Sequence, residues 1–193
     1  LVPVLEDVGE YRKDIESFFR AVSSINQVTG DFTHYEGSSE NVFRLIKAGL
    51  LKYDIEVVPV YIMRDPIRRS WSAWNTLGGG KIPNRSLASR FVMSNFISCK
   101  YKETIEALDS VFANPLYFFY EDFFTQANID KICDELKISR HPAECDNKTG
   151  ASSFKKMPNS FLKTFGKSPK NVAAVKYIVE RFENVPWKLE DYP

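Results

Sequence analysis

Two arginines and a serine in the first half of the chain, Arg64, Arg69 and Ser72, have the chemistry and spacing needed to bind a phosphate group. Guanidinium groups form paired hydrogen bonds with phosphate oxygens, and a serine hydroxyl adds another donor. Arg69 and Ser72 are three residues apart, so they share one face if the segment is helical. Arg64 stands where an apolar run ends. The spacing therefore predicts an anion-binding site.

The elements on either side are suited to positioning these side chains. Residues 57–63 are mostly β-branched and apolar, with one proline near their start, which predicts a strand covered on both faces. Asp65 can then N-cap a helix whose first residue is Pro66, a residue with no N–H to leave unsatisfied. Free N–H groups and the positive end of the helix dipole would add to the attraction for an anion.

The segment Arg64-Asp65-Pro66-x-x-Arg69-x-x-Ser72 resembles a motif of sulfotransferases that use 3′-phosphoadenosine-5′-phosphosulfate (PAPS), namely their 3′-phosphate-binding motif. The resemblance is to the bacterial and heparan-type enzymes, and it implies that Arg64 and Ser72 bind the 3′-phosphate of PAPS and of its product, 3′,5′-adenosine bisphosphate (PAP). Arg69 also matches the pattern. The alternative interpretation is an ordinary capped helix with surface arginines.

A second segment of the same resemblance bears on catalysis. Residues 30–35 read Gly-Asp-Phe-Thr-His-Tyr, where these sulfotransferases carry Gly-Glu-Lys-(Ser/Thr)-x-x-Tyr, and Phe32 occupies the place of the family's lysine. Thr33-His34 is also similar to the Thr-His pair of cytosolic sulfotransferases, whose histidine deprotonates the acceptor hydroxyl. The resemblance implies that His34 is the catalytic base, with Glu36 as the carboxylate alternative. A packing or surface role for His34 is the competing interpretation.

The last third of the chain is basic, with 8 basic and 2 acidic side chains in residues 140–176. Many sulfotransferases close over the cofactor with a late basic loop, and Lys155 or Lys156 is placed to do the same. Solvated lysines on a loop are the alternative.

Glu121 and Asp122 stand at the end of a second apolar strand, and both are predicted to be structural. Neighbouring residues on an extended strand point to opposite faces, so the two carboxylates are not expected to act as a catalytic pair.

The order of predicted elements indicates a single α/β domain over residues 1–193, with a short parallel sheet flanked by helices. The resemblance implies the P-loop-NTPase-like fold of sulfotransferases. The glycine-rich stretch 77–83 is either a plain connection or a substrate gate, and it lacks the residues of a Walker A sequence. Strands are expected at 57–63 and from residue 116, and helices at 10–29, from Ser38 or Ser39 to Leu50, from Pro66, at 87–112, at 129–138 and at 172–182.

Composition and charge limit the classes of partner and the cellular compartment that we expect. The formal net charge is only +1 and no nucleic-acid-binding signature occurs, so we expect no nucleic-acid partner. No run of 18 apolar residues and no signal peptide is present, so we expect no membrane segment. Three cysteines without metal-ligand spacing favour free thiols and a cytoplasmic location. A secretory-pathway lumen is the alternative if sequence precedes Leu1.

These features predict a PAPS-dependent transfer of sulfonate to the hydroxyl or amine of a small-molecule or carbohydrate acceptor. Sulfotransferases also open with a Lys-x-Gly-Thr-Thr-like loop that holds the 5′-phosphosulfate, and residues 1–56 contain none. We expect that loop to lie upstream of Leu1. If the protein lacks it, the alternatives are a non-catalytic module that binds 3′-phosphonucleotides and a nucleotide or phosphoryl-transfer protein.

Overall fold

The computed structural model describes residues 38–78, 100–143 and 168–188, together with Ser17, Met157, Asn159 and Glu190. Ser17 is the one described residue of the helix predicted at 10–29, and it is helical. In the described ranges the chain forms six helices and two strands, a mixed α/β arrangement. These elements are α1 (Glu40–Leu51), β1 (Val60–Met63), α2 (Pro66–Gly78), α3 (Tyr101–Val111), β2 (Leu116–Phe119), α4 (Tyr120–Phe123), α5 (Gln126–Glu135) and α6 (Pro169–Arg181).

The two strands pair in parallel, as the alternation of helices and strands predicted. Val60 lies opposite Leu116 and Met63 lies opposite Phe119. The N–H of Leu116 also donates to the carbonyl of Pro59, so pairing begins one residue before β1. A parallel register brings the carboxyl ends of both strands to the same edge, where the chain enters α2 after β1 and α4 after β2.

The main core lies on one side of this sheet and is built from α2, α3, α6 and residues that follow α6. Ile105 of α3 and Val175 and Ile178 of α6 are completely buried in it. A smaller cluster joins α1 to α3, where Phe43 packs edge-on against Phe112 with the ring centroids 6.4 Å apart. The members of the main cluster are Met63, Ile67, Trp71, Tyr101, Ile105, Phe119, Ala174, Val175, Ile178 and Trp187.

A polar network on the rim of the core ties α3, β2 and α6 together. The Tyr117 hydroxyl donates to Asp109 Oδ1 at 2.8 Å, and Arg181 Nη2 donates to Asp109 Oδ2 at 2.5 Å. Burial raises the pKa of Tyr117 above its usual value, and the hydrogen bond to Asp109 is the next largest cause in the same direction. The tyrosine therefore stays protonated in the folded protein at a pH where a free phenol would ionise.

The structure corrects several sequence-based expectations. The predicted cover on both faces of the first strand is wrong, because Val60 and Ile62 are each 40% exposed, and the strand is shorter than residues 57–63. Ser39 occupies the N-cap position of α1, but its side chain forms no capping bond.

Within the described residues, no helix is both long and apolar enough to cross a membrane. Cys133 is a buried free thiol on α5, in agreement with the expected free cysteines, while Cys99 and Cys145 lie outside the described residues.

Candidate functional site

The turn between β1 and α2, formed by Arg64 and Asp65, lies at the carboxyl edge of the sheet. Met63 pairs with Phe119, so the residues that follow each strand, Arg64 and Tyr120, also become neighbours. The guanidinium carbon of Arg64 lies 4.5 Å from the centroid of the Tyr120 ring. This is a cation–π contact, and it fixes the direction of the arginine side chain.

The electrostatic setting of Arg64 is unusual for a half-buried arginine. Its Nε atom is buried and has no hydrogen-bond partner within the part of the chain that the structure describes. None of the ion pairs between described residues includes Arg64. A buried donor without an acceptor is costly, and an arginine without a carboxylate partner has no opposite charge beside it. Arg64 therefore has both the charge and the unused donor that an anion would need.

Asp65 caps α2 as the sequence predicts. Its Oδ1 atom accepts from the N–H of Arg68 at 2.8 Å, and its carbonyl oxygen accepts from the N–H of Arg69 at 2.8 Å. Pro66 has no N–H, so Asp65 already satisfies most of the first helical turn. The expectation of free N–H groups at this helix start is wrong for Arg68 and Arg69, so an anion here would depend mainly on side chains.

Tyr101 of α3 holds the backbone of Arg64 at both polar atoms. Its hydroxyl donates to the Arg64 carbonyl oxygen at 2.5 Å and accepts from the Arg64 N–H at 3.3 Å. The tyrosine is 2% exposed, and its ring stacks on Trp187 with the centroids 5.9 Å apart. A rigid buried side chain thus determines where the arginine leaves the sheet.

Glu121 of α4 holds the backbone of Asp65, the residue that follows Arg64. Its Oε1 atom accepts from the N–H of Asp65 at 3.1 Å, and its Oε2 atom accepts from Trp187 Nε1 at 2.9 Å. The structural role that we predicted for this glutamate is confirmed by these contacts. The reason differs from the one that the sequence suggested, because Glu121 lies in the short helix α4 instead of an extended strand.

Arg69 and Ser72 share a face of α2, as their spacing predicts. Each residue of a helix is rotated by roughly 100° from the previous one, which places both on the side away from the core-facing residues. Both are half-buried, and each takes part in an interaction within the protein. The core-facing serine is Ser70, which is 1% exposed and donates to the Pro66 carbonyl at 2.7 Å.

Four of the predicted site residues lie outside the described residues. They are the two candidate bases, His34 and Glu36, and the two loop lysines, Lys155 and Lys156. The glycine-rich stretch is described only as far as Gly78, the last residue of α2. The structure therefore places Arg64, Arg69 and Ser72 on one turn and helix.

Sequence reasoning did not find Tyr101, Tyr120 or Trp187. Tyr120 could have been found, because two parallel strands that both end at an edge bring the residues that follow them together. Tyr101 and Trp187 gave no such signal, since each reads as an ordinary apolar residue of its segment. The Tyr101 hydroxyl contacts the turn directly from 37 positions away, and the Trp187 indole reaches it through Glu121, which lies 66 positions away.

Comparison of the chain with known protein families, with curated proteins and with solved structures finds no match in any of the three.

Proposed function

We propose that the β1–α2 turn binds the 3′-phosphate of PAPS and that the protein is a PAPS-dependent sulfotransferase with a sulfotransferase-like version of the P-loop-NTPase fold. The observation that carries the proposal is Arg64, with its buried Nε donor and unpaired charge at the carboxyl edge of a parallel sheet. Ligands of open α/β sheets bind at that edge. The proposal takes the identity of the ligand from the motif Arg64 to Ser72, since a phosphate suits the guanidinium and hydroxyl donors.

The other residues take the roles that the resemblance implies. Arg69 and Ser72 bind the same phosphate from the face of α2, and Lys155 or Lys156 stabilises the charge on the departing 5′-phosphate. When bound, PAPS supplies the sulfonate group. His34, or Glu36 in its place, takes the proton from the acceptor hydroxyl or amine as that atom attacks the sulfur from the side opposite the phosphate.

A second candidate function is a non-catalytic module that binds 3′-phosphonucleotides. It is favoured by one sequence feature, the lack of a Lys-x-Gly-Thr-Thr-like loop in residues 1–56. Such a module would use the same Arg64 site, so the two functions predict the same binding of PAP and differ in turnover. A phosphoryl-transfer protein is disfavoured because the chain has no Walker A lysine in the required sequence.

The test is calorimetric titration with PAP and with AMP, which lacks the 3′-phosphate. We expect the protein to bind PAP more tightly than AMP, and Arg64→Ala to lose roughly 10- to 100-fold in affinity for PAP, as for a hydrogen bond to a charged group. Arg68→Ala is the matched control, because Arg68 is an exposed arginine of the same helix. Equal affinities for PAP and AMP in the wild type would refute the proposed site.

A further inference from the structure

The carboxylate of Glu121 bridges two parts of the chain that the anion site needs. One oxygen accepts from the N–H of Asp65, in the β1–α2 turn, and the other accepts from the indole N–H of Trp187. Trp187 follows α6 and is 5% exposed, with its ring against Tyr101 and Phe119. Tyr101 in turn holds both backbone polar atoms of Arg64.

We propose that Glu121 and Trp187 are positioning residues for the anion site at Arg64. The buried indole fixes the glutamate, the glutamate fixes the backbone of Asp65, and the turn then presents the Arg64 guanidinium against Tyr120. The inference takes its ligand from the proposed function. The link from Trp187 to the turn is also measurable without any ligand.

The two acceptor oxygens of Glu121 predict a specific pattern of effects when Glu121 and Trp187 are substituted singly and together. Both of its oxygens face N–H donors, so both must be acceptors. In Glu121→Gln one oxygen becomes an NH2 group, and whichever way the amide turns, one donor then faces another donor. In Trp187→Phe that donor is gone, so the glutamine oxygen can accept from Asp65 without conflict. The second substitution should therefore repair part of the damage done by the first.

The sign of the effect separates positioning from simple electrostatics. If Glu121 acted only through its negative charge, its removal would strengthen the attraction for a phosphate, and Glu121→Gln would bind PAP more tightly. Positioning predicts weaker binding. Asp122→Asn is the matched control, because it removes an equal charge from the next residue of α4, and no side-chain hydrogen bond or ion pair of Asp122 occurs among the described residues.

The experiment uses four variants: Glu121→Gln, Trp187→Phe, the double variant and Asp122→Asn. It measures PAP affinity by calorimetry and, without ligand, the amide hydrogen exchange of Arg64, Asp65, Ile67 and Arg68. For Glu121→Gln we expect about tenfold weaker binding and faster exchange at Asp65, and for Trp187→Phe about a fivefold loss. The double variant should bind more tightly than Glu121→Gln alone, and Asp122→Asn should bind as the wild type or better.

Several outcomes would overturn the inference. If the wild type binds PAP and Glu121→Gln binds it equally or more tightly, the glutamate does not position the site. Equal exchange rates at Asp65 in all variants would show that the indole does not hold the turn. A wild type that fails to bind PAP refutes the proposed function instead, and the exchange rates then still decide whether Glu121 and Trp187 fix the turn. Should Trp187→Phe not fold, the pair Glu121→Gln and Asp122→Asn carries the test.

Discussion

Removal of a single hydroxyl, in Tyr101→Phe, tests how firmly the β1–α2 turn is held. The hydroxyl donates to the Arg64 carbonyl at 2.5 Å and accepts from the Arg64 N–H at 3.3 Å, and the ring is almost fully buried. The substitution keeps the ring and its stacking on Trp187, and it removes these two bonds to the backbone of Arg64. One lost bond costs about 1 kcal/mol, and a partly buried N–H left unsatisfied costs toward the lower end of about 1 to 3 kcal/mol.

We therefore expect Tyr101→Phe to lower the free energy of unfolding by about 2 kcal/mol. For a chain of this size, that corresponds to a fall in Tm of roughly 4 to 8 °C. Tyr53→Phe is the matched control, because the Tyr53 hydroxyl is buried but has no hydrogen-bond partner within the described residues. That substitution removes a polar group that is already unsatisfied, so it should be neutral or stabilising.

Thermal and urea denaturation of the two variants beside the wild type would measure the difference. The urea data also show whether the slope m stays constant, which is required before the midpoints are read as stability. If Tyr101→Phe and Tyr53→Phe change the free energy of unfolding by the same amount, the two bonds to Arg64 contribute nothing and the argument for a clamped turn fails.

Four further predictions concern single side chains. Asp65→Ala should cost about 1 kcal/mol of stability with or without PAP, measured by thermal melts, whereas Asp65→Asn keeps most of the cap. Ser72→Ala should leave the melting temperature nearly unchanged but reduce the shift caused by PAP, and a full shift would show that the hydroxyl does not bind the phosphate. His34→Ala should lower sulfonate transfer roughly 10²- to 10⁴-fold in a turnover assay, with PAP affinity unchanged. Stability should fall as the pH rises above about 10, because the pKa of Tyr117 is raised and the folded protein keeps a proton that the unfolded chain releases. Urea melts of Tyr117→Phe should show a smaller fall, and an identical one would contradict the assignment.

The sequence predicted the local features of the site well. The end of an apolar run, followed by Asp-Pro, correctly placed the end of β1 at Met63 and the start of α2 at Pro66. Both signals act over a few residues, through the preference of β-branched residues for strands and through helix capping, so they are readable without knowledge of the fold. The parallel pairing followed from the order of helices and strands, because parallel strands need a long connection between them.

The features that sequence reasoning missed all depend on distant contacts. Whether Val60 and Ile62 are covered depends on what packs on the outer face of β1, and their β-branched character indicates a strand without saying how many of its faces are buried. Likewise, Glu121 could be assigned a structural role but not its two donors, since these come from residues 56 and 66 positions away.

The bond between Glu121 and Trp187 has a consequence for the order of events during synthesis. The turn and the capped start of α2 lie within residues 64–72, whereas the indole that holds the glutamate comes 66 residues after Glu121. A ribosome-bound chain that ends before Trp187 therefore already has Arg64 and its Asp-Pro cap, but its turn lacks one of its supports. The turn can gain this support only once the chain between Glu121 and Trp187 has closed on itself, and closing so long a loop costs conformational entropy.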